Sequence, residues 1–180
     1  LVKLDFLYGA CVLPMYNKTR GEIMCDAMDF IRECCKDKLI LGCGVPLMPA
    51  FGKVDYCRIG ADIDLAWKNK PNTIREDVST PHAVCNTVFR RHLDGRAWKN
   101  DPDVFMLRDN NMFMPLKKRK LLAKINSTFG SLLFISDDVR EYDEEKKAAL
   151  KDTFAQKDVE IISAGFEKKD ILKLVFSENG

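Results

Sequence analysis

Little in this sequence is set out for holding a metal. No two of its cysteines form a C-x-x-C pair, and there are only two histidines. His82-x-x-Cys85 is the nearest approach to a ligand pair, one helical spacing that by itself makes no zinc site. The seven cysteines (Cys11, Cys25, Cys34, Cys35, Cys43, Cys57, Cys85) are odd in number, and two are adjacent. Most lie in apolar segments, so we expect reduced thiols in a cytoplasmic protein rather than a disulfide framework. No apolar run has the length of a bilayer span, and no membrane partner is expected. A dominant sign of charge is also lacking: 29 Lys and Arg stand against 27 Asp and Glu, a net charge of +2. That balance argues against a nucleic-acid partner. The one basic run, Lys117-Lys118-Arg119-Lys120, sits beside Leu116, Leu121, Leu122 and Ile125 and reads as the solvated edge of a helix. An initiator Met is missing and the chain opens inside a strand pattern, so a piece of a longer protein is expected.

What is present is globular. With 46% hydrophobic and 31% charged residues in 180, the chain can build a sizeable core. Residues 1–8, Leu-Val-Lys-Leu-Asp-Phe-Leu-Tyr, form an apolar run ending at Gly9 and predict a buried strand. Strand alternation puts Lys3 and Asp5 on one face. They either neutralise each other or line a polar cavity, because a lone buried charge is costly.

The chain then alternates. Thr19-Arg20-Gly21-Glu22 has capping-box form and predicts a helix over about 20–35. Residues 39–44 and 54–59 predict two more strands. Thr80-Pro81 predicts a helix with Thr80 as its cap, running to about Leu93. Residues 101–107 predict a fourth strand, 115–128 a helix, 131–135 a fifth strand, and 144–155 a charged helix. Strand and helix in alternation predict α/β architecture, either an open parallel sheet or a closed barrel, with function at the carboxyl ends of the strands. From Asp158 the texture becomes β-rich with turns, which predicts antiparallel pairing and a different domain. The expected division is 1–157 and 158–180.

Polar residues collect at the predicted strand ends: Asp5, Cys43, Arg58, Asp62, Asp101, Asp103, Asp137 and Asp138. Two carboxylates with a Lys and an Arg suit glycoside hydrolysis, which needs one carboxylate facing the anomeric carbon and one carboxyl beside the leaving oxygen. Asp5, with Lys3 favouring its ionised form, suits the nucleophile. Asp62, on a loop over an enclosed sugar, suits the acid. Asp at strand ends is also common in α/β folds that do other chemistry.

Five stretches carry a family resemblance. Lys3-Leu4-Asp5-Phe6 resembles the nucleophile strand of melibiase-type α-galactosidases. Leu41-Gly42-Cys43-Gly44-Val45-Pro46-Leu47 is similar to the fifth strand and loop, and Arg58-Ile59-Gly60-Ala61-Asp62 to the acid/base motif, with Ala61 where Pro is frequent. Asn100-Asp101-Pro102-Asp103 resembles the seventh strand, and Phe134-Ile135-Ser136-Asp137-Asp138 the eighth. The five occur in family order over roughly residues 1–140. The resemblance implies a (β/α)8 TIM barrel of which only about strands 4 to 8 are present, followed by the start of an antiparallel β domain. It implies Asp5 as nucleophile and Asp62 as acid/base of a retaining exo-α-galactosidase acting on oligosaccharides, their carboxyls about 5–6 Å apart. Lys3, Arg58 and Cys43 become substrate-binding residues. Trp67 either stacks on a sugar or pins its loop. No metal or organic cofactor is required.

The family's galactose-selecting residues come from the first strands, which lie outside this chain. A related retaining α-glycosidase of other specificity therefore remains open, as does an inactive truncated fragment. Open barrel edges are expected to be met by the missing N-terminal part of the same enzyme or by a second copy. For the lesser residues we expect Asp101 and Asp103 to accept backbone hydrogen bonds, Asp137 and Asp138 to act as caps, and His82 and His92 to take no part.

Overall fold

The computed structural model describes residues 1–67, 79–155, 158–168 and 171–179. The elements are β1 (Val2–Leu4), a 3-10 turn at Leu7–Cys11, α1 (Arg20–Cys35), β2 (Ile40–Gly42), α2 (Leu47–Ala50) and β3 (Tyr56–Arg58). Next come α3 (Thr80–Phe89), a 3-10 turn at Arg91–Leu93, β4 (Lys99–Asp101), β5 (Val104–Phe105), α4 (Leu116–Phe129) and β6 (Phe134–Ile135). A 3-10 turn at Val139–Glu141, α5 (Glu144–Phe154), β7 (Asp158–Lys168) and β8 (Ile171–Asn179) complete the chain. Two compact units result: Leu1–Ile59 with His92–Asp101, and Gly60–Arg91 with Pro102–Gly180.

The first unit is a parallel sheet in the order β1-β2-β3-β4. One face carries Leu4, Ile40 and Cys57, which join Met24 and Met28 of α1, Val54 and Trp98 in a core. The opposite face therefore carries Lys3, Leu41, Tyr56 and Arg58. α1 starts where the capping box places it: Thr19 Oγ1 accepts from the Glu22 amide, and the Glu22 carboxylate accepts from the Thr19 amide at 2.8 Å. Asp55 brackets the sheet from below, accepting from the Ile40 amide and from Arg32, both at 2.8 Å.

The second unit holds the parallel pair β5–β6 and helices α3, α4 and α5 around Val84, Val88, Phe105, Leu107, Leu122 and Phe129. β7 and β8 pair antiparallel, and Ile161, Ala164, Leu172 and Leu174 pack on this core. Asp137 ties the segment after β5 to the segment after β6. Its Oδ2 accepts from the Leu107 amide at 2.5 Å, the Arg108 amide at 3.0 Å and the Tyr142 hydroxyl.

Several expectations change in detail. The opening strand is three residues long rather than eight, and Lys3 and Asp5 are exposed. Phe6 is left-handed (φ 54°), and its amide turns back onto Asp5 Oδ1 at 2.8 Å, which ends the strand. The strand over 101–107 is broken into β4 and β5, because Pro102 has no N–H for a ladder and Asp103 has φ 76°. Helix α3 is capped by Ser79, which accepts from the His82 amide, instead of Thr80. The Thr80 hydroxyl is taken up by the preceding loop, donating to the Ala66 carbonyl at 3.0 Å. Among the described residues no helix is long and apolar enough to cross a membrane.

Candidate active site

Four polar residues fall in one row at the carboxyl end of the first unit's sheet. The register pairs Leu4 with Gly42, Gly42 with Cys57, and Arg58 with Asp101. One residue further along each strand, Asp5, Cys43, Arg58 and Asp101 stand side by side. The ladder continues to that level, since the Cys43 amide donates to the Leu4 carbonyl at 2.8 Å. Neighbours in a row share a face, so their side chains interact across strands.

They interact in two pairs. Arg58 Nε donates to Asp101 Oδ2 at 3.0 Å, and the two side chains are only 7% and 0% exposed. A buried charge pair of this kind fixes the orientation of both partners. The Phe6 amide donates to Asp5 Oδ1 at 2.8 Å, and the Cys43 thiol is the carboxylate's neighbour in the row. The Cys43 thiol first, then the Phe6 amide, with the charges of Lys3 and Arg58, hold the Asp5 carboxyl below its ordinary 3.8. Burial, reinforced by the Asp5 charge, pushes the Cys43 thiol up to about 11. The outcome is an ionised carboxylate beside a thiol that keeps its proton, able to act as nucleophile or as acceptor for hydroxyls.

The loop that carries Asp5 is clamped from β2. Gly44 has φ 58°, and a Cβ there would stand 3.2 Å from both the Phe6 nitrogen and Cα. Its carbonyl accepts from the Tyr8 amide at 2.8 Å. The glycine is thus required twice, by its backbone angle and by the close approach of Phe6.

In the second unit Asp62 is exposed, while the residues after it are fixed. The Ile63 amide donates to Asp103 Oδ2 at 2.7 Å, and the Asp64 amide donates to Thr80 Oγ1 at 3.2 Å. Trp67 packs against this unit's core, and Lys118 Nζ lies 4.3 Å from the centre of its ring. Residues 68–78, the remainder of that loop, lie outside the described residues. Among the described residues no three His, Cys, Asp or Glu side chains are grouped to hold a metal ion.

No family model matches the sequence. Solved structures do. The chain is similar to TtGalA, the α-galactosidase of Thermus thermophilus in complex with p-nitrophenyl α-D-galactopyranoside, with TM-score 0.74 and 24% identity over 87% of this chain and 33% of that one. The same enzyme in complex with stachyose gives TM-score 0.70 and 25% identity over 86% and 34%. α-Galactosidase I from Mortierella vinacea gives TM-score 0.53 and 15% identity over 74% and 36%. The fold is that of part of an α-galactosidase. This chain spans about a third of the length of those enzymes, and its parallel strands are those of a partial TIM barrel.

Within this α-galactosidase fold, the residues singled out from sequence fall into two groups. Lys3, Asp5, Cys43 and Arg58 share the first unit's sheet, while Asp62 and Trp67 belong to the second unit. Asp101 was missed as a site residue. It was expected to accept backbone hydrogen bonds, yet its carboxylate takes the Arg58 guanidinium. The available signal was its place at a strand end in Asn100-Asp101-Pro102-Asp103. Asp103 does accept a backbone amide, and Asp138 does cap a turn, accepting from the Arg140 amide at 3.0 Å. Asp137 instead bridges two chain segments.

Proposed function

We propose that this chain supplies strands 4 to 8 of a retaining α-galactosidase barrel that removes terminal α-galactose from oligosaccharides. The observation that carries the reading is the row of Asp5, Cys43, Arg58 and Asp101 at the strand ends, in a fold shared with α-galactosidases. In the proposed reaction a carboxylate oxygen of Asp5 attacks the anomeric carbon from the β face. The glycosidic C–O bond breaks, and its oxygen takes a proton from Asp62. Water then gives a proton to Asp62 and attacks the glycosyl ester from the α face, freeing Asp5. Two inversions retain the α configuration.

Lys3 and Arg58 would offer N–H donors to sugar hydroxyls and keep Asp5 ionised, and Trp67 would border the sugar's approach. The first three strands would come from the preceding part of the same enzyme or through assembly across the open edge of β1, with β7 and β8 beginning an antiparallel domain. The seven free thiols support a reducing, cytoplasmic setting.

The test is hydrolysis of p-nitrophenyl α-galactoside by a barrel completed with strands one to three. α-Galactose should appear first by NMR, and Asp5→Asn should abolish turnover. β-Galactose as the first product would overturn the reading. The isolated chain should be inactive, because catalysis needs the sugar held in register.

A further inference from the structure

We propose that Cys43 is a positioning residue for Asp5: its buried thiol, set beside the end of β1 by the β1–β2 register, donates a hydrogen bond that orients the Asp5 carboxylate. The proposal gives Cys43 a task beyond walling a sugar pocket, and it rests on the reading of Asp5 as nucleophile.

The geometry leaves Cys43 little freedom. Its backbone amide donates to the Leu4 carbonyl at 2.8 Å, so Asp5 and Cys43 are neighbours in the same row. Gly44, immediately after it, is locked against Phe6 by close approach and by the Tyr8 amide. Cys43 itself is 6% exposed.

The chemistry also favours a thiol that donates. Burial and the Asp5 charge oppose its ionisation, so it stays a proton donor while Asp5 stays an acceptor. Two donors then converge on Asp5 from two directions. The Phe6 amide comes from the chain just beyond β1, and the Cys43 thiol from the end of β2, where the register sets it beside Asp5. The charges facing Asp5 are Lys3 on its own strand, β1, and Arg58 on β3, the latter held by Asp101 of β4. Among these partners only Cys43 can be changed to a smaller side chain without removing a charge or a backbone group. A carboxylate held by two donors presents a defined oxygen, which is what an in-line attack requires.

The test is the titration of Asp5 followed by 13C NMR of its carboxyl in this chain, which needs no activity. In Cys43→Ala the Asp5 midpoint should rise towards that of an ordinary aspartate, and in Cys43→Ser it should return towards the wild-type value. An unchanged midpoint in a folded Cys43→Ala chain would overturn the proposal. Should Cys43→Ala not fold, alkylation decides. In Asp5→Asn the Cys43 thiol should ionise more readily and react faster with iodoacetamide at alkaline pH, and an unchanged rate would overturn the proposal. In the completed barrel, Cys43→Ala should shift the acid limb of the activity profile upward, with Cys43→Ser moving it back. Loss of the Asp5 role itself would appear instead as turnover surviving Asp5→Asn, so the two failures are separable.

Discussion

Gly130→Ala adds one methyl group where the second unit has no room for it. Gly130 follows α4, and its amide donates to the Asn126 carbonyl at 2.8 Å. Asn126 in turn donates from Nδ2 to the Asp103 carbonyl at 3.0 Å. The end of α4 is thus docked on the break between β4 and β5. A Cβ at position 130 would lie 2.6 and 2.7 Å from Cγ and Cδ of Pro102 and 2.9 Å from the Asn126 carbonyl oxygen. A proline ring and a helix carbonyl are both stiff, so the docking itself must give. Overpacking of this kind costs about 1–3 kcal/mol. The smaller entropy lost by an unfolded chain with Ala in place of Gly offsets about 0.4–1 kcal/mol. The net loss is roughly 1–2 kcal/mol, and at ~2–4 °C per kcal/mol for a chain of this size the melting temperature should fall by roughly 2–8 °C. Thermal denaturation by circular dichroism reads it directly. Gly165→Ala, whose Cβ would meet nothing within 4 Å, is the control and should melt within about 2 °C of wild type. A Gly130→Ala chain as stable as wild type would refute the docking of α4 on Pro102.

Three further outcomes are expected. Asp101→Ala removes the buried carboxylate that accepts from Arg58 Nε and should destabilise the chain by more than about 1 kcal/mol in urea denaturation, whereas no measurable effect would contradict the pairing. Burial pushes the Asp55 carboxyl up, but the Ile40 amide and Arg32 outweigh it and hold it below its ordinary 3.8. Its contribution is therefore present above pH 3.8 and lost as pH falls through the lower folded value. Because the pair is partly exposed, the stability gap between wild type and Asp55→Asn should be only about 0.2–1 kcal/mol at neutral pH, closing under acid. Exposed Cys25 and Cys34 should take up iodoacetamide well before buried Cys11, Cys43 and Cys57, as mass spectrometry of labelled peptides would record.

Local signals were legible in the sequence, and long-range ones were not. The Thr19–Glu22 box places the start of α1 because both partners lie within one turn. Two adjacent residues, Ser79 and Thr80, could each cap α3, and the choice was made by Asp64 and Ala66, fourteen and more residues away. The eight-residue apolar run at the start reads as one strand, but a left-handed Phe6 held by Gly44 ends it after Leu4. Asp101 looks like its neighbour Asp103, each flanking Pro102. Only the sheet register brings Arg58, 43 residues distant, to one of them. The fold class and most of the row could be read from strand ends, since alternation and chain order set them. The buried ion pair could not, because nothing local marks it.

The most direct measurement of the central claim is the site of covalent labelling in a completed barrel treated with a fluorogalactosyl fluoride, whose electron-poor ring slows hydrolysis of the ester. Peptide mass spectrometry should find the galactosyl adduct on Asp5, and none should form in Asp5→Asn. An adduct on Asp62 or any other carboxylate, or turnover of galactosides with no adduct at Asp5, would contradict the account.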